Sequence, residues 1–173
     1  ITSILSMLGI AGSLYFAFRS IRQASVSFLP IGFGTAVTWG LAYLVFGQLN
    51  LITASFTSVL LGLGDFGVHI QARYAELMRG GADRKVAIET ALVKAGPGLL
   101  VGTVVTAAAF FTTTVTEFTA FAQLGLLTCL GLLVMLCGTY LLVAPMIIMI
   151  LGKKPKVAPE MPGMRAMGAF IRR

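Results

Sequence analysis

Apolar residues fall into long runs separated by short polar connections. Over 1–18, 28–46, 51–72, 99–115 and 121–151 the chain is almost continuously hydrophobic, and a helix needs about 20 such residues to cross a hydrocarbon core about 30 Å thick. The pattern predicts five transmembrane helices. Only residues 47–50 join the second run to the third, so those two spans should be antiparallel neighbours. Arg22 and Gln23 predict a short turn before the second span, with Pro30 in its first helical turn, where the missing N–H is harmless. Gly80-Gly81 ends the third span. Over 83–95 the periodicity changes. Ile88, Ala91, Leu92 and Ala95 recur at i, i+3, i+4 and i+7, which predicts a short amphipathic helix lying along the membrane interface with Asp83 as its N-cap. Gly96-Pro97-Gly98 should stop that helix and open the fourth span, and Pro145 should bend the end of the fifth. No β-rich stretch occurs, so the fold class is all-α and polytopic, with 1–151 as the membrane domain and 152–173 as a basic tail or linker.

Composition sharpens this. Hydrophobic residues make up 57% of the 173 and charged residues only 11%, a balance that excludes an ordinary soluble domain. The 13 Lys and Arg are segregated into Arg19 and Arg22, a group from Arg73 to Lys94, and a group from Lys153 to Arg173. The connections at 47–50 and 116–119 carry none. The positive-inside rule puts the basic groups in the cytoplasm and the start of the chain on the far side. The net charge of +7 therefore reads as topology and attraction to anionic lipid headgroups, not as nucleic-acid binding. Cys129 and Cys137 lie in an apolar run, which predicts free thiols and no metal site. The chain opens directly in apolar sequence without a starting Met, as a piece of a longer protein would.

One stretch departs from hydrocarbon. In the third span Asp65 and His69 lie four residues apart, on one helical face. Asp65 precedes Arg73 by eight residues, roughly 12 Å along a helix, so it lies well inside the hydrocarbon layer. A charged group there costs about 2.5 to 3.5 kcal/mol even on the lenient insertion scale, which marks Asp65 as a functional candidate with a partner. The bland alternative is a buried hydrogen-bonding residue fixing one helix to another. His69 could relay protons towards the cytoplasm or act as an interfacial hydrogen-bonder. Small residues line the fourth span. Gly98 and Gly102 have GxxxG spacing, which together with Gly62 and Gly64 predicts close helix contacts. Thr106 could support Asp65 or bond its own i−4 carbonyl.

Two families share the central motif. Gly62-Leu63-Gly64-Asp65 resembles the GxGD element of intramembrane aspartyl proteases, but those enzymes need a second aspartate so that two carboxylates share a proton. Tyr43 on the preceding span is followed by Leu44, and Asp83 sits in the connector. A wider resemblance runs from residue 60 onward through GLGDFGVH, QARYAELMRGG, AIETALVKAGPGLLVG, TAAAFF, TEFTAF and QLGLL. In that order these resemble one membrane half of the resistance-nodulation-division superfamily, in its MMPL and hopanoid-exporter-like branch. The resemblance implies that the five spans are helices two to six of a six-helix half, with a first helix and a large periplasmic domain before Ile1 and a second half elsewhere. It implies a proton-motive-force-driven exporter of lipids or other hydrophobic molecules in a bacterial inner membrane, with no enzymatic activity and no cofactor. Asp65 would be the proton carrier. The implied partners are membrane lipids, the hydrophobic substrate, the remaining helices and periplasmic domain, and further copies in an oligomer.

Two departures stand out. The family usually has one more residue between the glycines and the aspartate, so a continuous helix would turn Asp65 by about 100°, unless a bulge absorbed the difference. Phe66 replaces a common Tyr. Within the superfamily, a protein-translocation accessory would show Asp-Ala-Asn-Val where this chain has Asp65-Phe66-Gly67-Val68, and a non-transporting sterol-sensing module would share the helix count.

Overall fold

A computed structural model describes residues 8, 9, 12 and 21–150. Helix α1 spans Ile21–Phe46, α2 Leu51–Ala54, α3 Phe56–Leu63, α4 Phe66–Arg79, α5 Arg84–Thr112 and α6 Thr119–Ile150, with a 3₁₀ turn at Thr113–Val115 between the last two. Helices α2, α3 and α4 together form one broken span over Leu51–Arg79. Four stretches are therefore long and apolar enough to cross a membrane: Ala24–Phe46, Leu51–Arg79, Arg84–Val115 and Thr119–Ile150. The expected span over 1–18 and the tail over 152–173 lie outside the described residues, apart from residues 8, 9 and 12, which are helical.

Three expectations need correction. Residues 22 and 23 are not a turn, because α1 begins at Ile21 and carries Pro30 in its interior. Ile-Arg-Gln-Ala contains no helix breaker, and the proline removes only one rung of the ladder. The interfacial helix over 83–95 is not separate either. Helix α5 continues through Gly96-Pro97-Gly98 into the fourth span, and its apolar stripe faces protein: Ala87, Ile88 and Ala91 are buried with Tyr74, Val143 and Ile147. Gly96 serves a contact instead of a stop, since a Cβ there would lie 2.7 Å from the Tyr140 hydroxyl of α6. Third, the span expected over 51–72 reaches Arg79 and is interrupted within. The Gly80-Gly81 terminus is found, with Gly81 at φ 81°. Asp83 caps α5 by accepting from the Lys85 amide at 3.2 Å.

Among the described residues, helix α6 packs against each of the other helices, and small residues let it do so. Cβ atoms built at Gly34 and Gly64 would strike Met135, and one at Gly131 would lie 2.5 Å from Leu60. In lipid there is no hydrophobic drive between helices, so association depends on such close packing. One cluster joins Ile31, Phe56, Leu60, Phe66, Leu127, Leu132 and Met135. The other gathers at the basic end around Tyr74, Ile88 and Val143. Arg84, at the start of α5, donates to the Ile147 and Ile148 carbonyls at 2.9 and 2.5 Å, satisfying last-turn acceptors of α6. Buried Thr38 and Thr139 donate to their own i−4 carbonyls. Cys129 and Cys137 are free thiols.

At Gly125 an added methyl would meet the Thr113 hydroxyl and the Phe110 carbonyl, the latter at 2.6 Å. Because backbone cannot yield cheaply, Gly125→Ala should cost about 1 to 3 kcal/mol, seen as a lower melting temperature in detergent. Gly40→Ala, with nothing within 4 Å, should leave melting unchanged or raise it slightly.

Candidate functional site

The break in the third span sits at Gly64 and Asp65. The Gly64 amide still bonds the Leu60 carbonyl at 2.8 Å, but the next bond is Phe66 N–H to the Gly64 carbonyl at 2.9 Å, outside the α pattern. Asp65 has φ −80° and ψ 52°. The sequence favours a break here. Two glycines weaken the end of α3, and Gly64 is held against Met135, with its own turn leaving no room for a side chain. Phe66 is buried on the far side of the break. The aspartate thus occupies the N-cap position of α4, where the helix dipole favours a negative charge. The interruption also frees the azimuth of Asp65 from α3, so the shortened glycine-to-aspartate spacing does not fix where its carboxylate points.

Asp65 Oδ1 is fully buried, with no hydrogen-bond partner among the described residues. It lies beside a groove of about 900 Å³ between the broken span and α5, with Leu132 of α6 at its base. From α4 the groove receives Asp65, His69, Arg73 and Glu76. From α5 it receives Lys94, Gly98, Gly102, Thr103 and Thr106. Arg73 and Glu76 form an ion pair at 2.5 Å. The groove therefore joins a carboxylate midway along the Leu51–Arg79 span to charged residues nearer the Gly80-Gly81 loop.

The structure brings Asp65, His69 and Thr106 to this one groove. Thr106 donates to the Gly102 carbonyl at 2.8 Å. Of the four glycines expected at helix contacts, only Gly64 touches a neighbouring helix. Gly62, Gly98 and Gly102 have nothing within 4 Å of an added Cβ and instead line the groove, giving it width. The sequence reading missed Thr103, Lys94, Arg73 and Glu76. The α5 stripe was legible, because Ala95, Gly98, Leu99, Gly102, Thr103 and Thr106 follow helical spacing. Also missed was the support behind the site. Buried Gln71 donates to Ser27 Oγ at 2.5 Å, and a Cβ at Gly67 would lie 3.1 Å from the Ser27 backbone, so α4 is clamped to α1 on the side away from the groove.

Four apolar spans, one of them broken at a carboxylate, define a multi-pass helical membrane protein with a polar groove. The chain matches the MMPL family along residues 1–173 and belongs to it. It is 32% identical over 132 residues to the Methanocaldococcus jannaschii protein named "Putative membrane protein MJ1562", covering 76% of this chain and 34% of that one. It is 26% identical over 178 residues to the hopanoid transporter HpnN of Burkholderia multivorans, covering 100% of this chain and 20% of the transporter. The chain thus spans about a third and a fifth of the lengths of these relatives.

In a cysteine-free background, His69→Cys should react with a membrane-impermeant maleimide added on the side of the Gly80-Gly81 loop. Ile70→Cys, whose side chain is buried, should not. Equal labelling of both would contradict a groove that admits water along one face of α4.

Proposed function

We propose that this chain is part of one membrane half of a proton-motive-force-driven exporter of lipids or other hydrophobic molecules, with Asp65 as the proton carrier. In this reading the spans are helices two to six of a six-helix half. The basic loops face the cytoplasm of a bacterial inner membrane, and the periplasmic domain and second half belong to the rest of the protein. The observation that carries it is the unpartnered, buried Asp65 oxygen at the inner end of a groove with a charged mouth. A carboxylate that merely tied two helices together would have spent that oxygen on a neighbour. The carboxylate sits between the N-terminus of α4 and the groove, so the form it prefers depends on what faces it. Small shifts of α5 against α4 can therefore change which form is preferred. Each proton moved through 100 mV supplies about 2.3 kcal/mol, enough to bias a conformational cycle.

The printed name of the Burkholderia relative, a hopanoid transporter, supports a hydrophobic cargo. The protease reading finds less support. The second aspartate of the chain, Asp83, caps α5 at its Lys85 amide, a full span-half away along the sequence, so no dyad forms with Asp65. A non-transporting sterol-sensing-like module would share the fold but would have no need of an unpaired carboxylate.

In inverted vesicles carrying the full-length protein, Asp65→Asn should abolish gradient-dependent export while leaving the protein folded and inserted. Export that continues at the original rate and still collapses with the pH gradient would remove Asp65 from the mechanism.

A further inference from the structure

Beyond Lys94, α5 carries no further charge up to its end at Thr112, and Arg73 is the first Lys or Arg of the broken span that starts at Leu51. Both line the groove, and together they mark the level at which hydrocarbon gives way to polar surroundings. The spans Leu51–Arg79 and Arg84–Val115 have 29 and 32 residues, about 44 and 48 Å of helix against a hydrocarbon core of about 30 Å. Centred in a bilayer, each extends about 7 to 9 Å into the headgroup layer at either end. Arg73 lies about 9 Å from the loop that joins α4 to α5, and Lys94 about 15 Å. Helical side chains lean towards the N-terminus of their own helix. On these two oppositely directed helices Arg73 therefore leans away from the loop and Lys94 towards it. The two cations approach one level from facing walls of the groove, at the inner edge of the headgroup layer.

Their charges are not equally committed. One nitrogen of Arg73 bonds the Glu76 carboxylate, which leaves the guanidinium the rest of its five N–H donors. Lys94 is exposed, and its ammonium has no ion pair among the described residues. Arg73 and Lys94 against Glu76 leave one positive charge at this mouth. His69 stands at the level of Lys94, and the Asp65 carboxylate is about 12 Å beyond Arg73 on the same wall. A cation this close to hydrocarbon without a counter-ion calls for a partner. Above the mouth, the α5 wall is apolar from Ala95 through Leu99 to Gly102, with buried Phe66 and Leu132 behind it. Gly98 and Gly102 present bare backbone, with nothing within 4 Å of an added Cβ. Leu63 on one wall, and Val101 beside Gly102 on the other, are exposed. The groove is thus a slot open along its length, cationic at the basic end and hydrocarbon-lined above it.

We propose that this slot holds one anionic phospholipid from the leaflet on the side of the Gly80-Gly81 loop, with its phosphate between Arg73 and Lys94 and one acyl chain against Gly98, Leu99 and Gly102. Charge complementarity selects the headgroup. The mouth has one positive charge to neutralise, and its carboxylate, Glu76, is already paired with Arg73, so a zwitterionic headgroup would find no free anion for its ammonium. Basic pockets between transmembrane helices recognise anionic headgroups in this way. The site goes beyond the exporter reading, because it requires neither transport nor proton exchange at Asp65.

The test is native mass spectrometry of the purified full-length protein in detergent, titrated with dioleoyl phosphatidylglycerol or dioleoyl phosphatidylcholine. Saturable binding of one phosphatidylglycerol that depends on Lys94 is expected, with phosphatidylcholine weaker. Lys94→Gln should weaken that binding by about fivefold or more, and Lys94→Arg should retain it. Gly102→Leu, which fills the slot without touching the mouth, should weaken it as well. Lys85→Gln, a charge change on the same helix outside the groove, should leave it unchanged. Equal binding of the two lipids, a loss as large in Lys85→Gln as in Lys94→Gln, or displacement of the lipid by millimolar inorganic phosphate would overturn the site. A slot covered by another segment of the full-length protein would show lipid binding indifferent to both Lys94→Gln and Gly102→Leu, which would also overturn it.

Discussion

A membrane interior supplies no water to satisfy a broken backbone, so a helix can be interrupted there only where protein or an aqueous cavity takes up the freed polar groups. That constraint organises this molecule. The third span stops at Leu63 and restarts at Phe66, and the groove beside it is where the loosened carbonyls and the Asp65 carboxylate find their surroundings. Without the groove the break would be costly, and without the break the carboxylate would be tied to the rotation of a straight helix.

The remaining architecture keeps that arrangement in place. Helix α6 touches each of the other described helices, and Met135 fills the space that Gly34 and Gly64 leave open. On the opposite side Gln71 and Ser27 clamp α4 to α1. On the other side α5 packs on α4 at the basic end through Tyr74, Ala87, Ile88 and Ala91. Further along, α5 faces the broken span across the groove, where Gly98 and Gly102 leave open space within 4 Å of an added Cβ. Relative movement of the two walls is the natural way for such a site to change the environment of its acid, since packed interfaces switch between arrangements more readily than they deform.

Much of this was legible in the sequence. Long apolar runs mark the four described spans, and the Gly80-Gly81 terminus and the Asp83 cap follow from ordinary helix signals. Asp65 stood out because an acid in hydrocarbon is expensive. One error has a clear cause at Gly96-Pro97-Gly98. Glycine and proline were read as punctuation, yet in lipid a helix tolerates both, because unfolding its backbone costs more than one lost rung. Helix α5 accordingly runs through Pro97. The true break came at Gly-Leu-Gly-Asp, where two glycines followed by an N-capping residue offered a stop and a start signal together. The glycines of α5 were assigned to helix contact because spacing alone cannot distinguish a surface that meets a partner from one that walls a cavity. That distinction depends on where α6 and α4 lie, which is a tertiary matter.

The central claim is that Asp65 exchanges protons with the side bearing the basic loop. Infrared difference spectroscopy of the oriented, reconstituted full-length protein tests it most directly, by following the protonated-carboxyl band and assigning it by its loss in Asp65→Asn. A proton carrier predicts a band that appears on acidifying that side and reverses on return. A carboxyl band that never changes with pH, or that answers only to the opposite side, would contradict it.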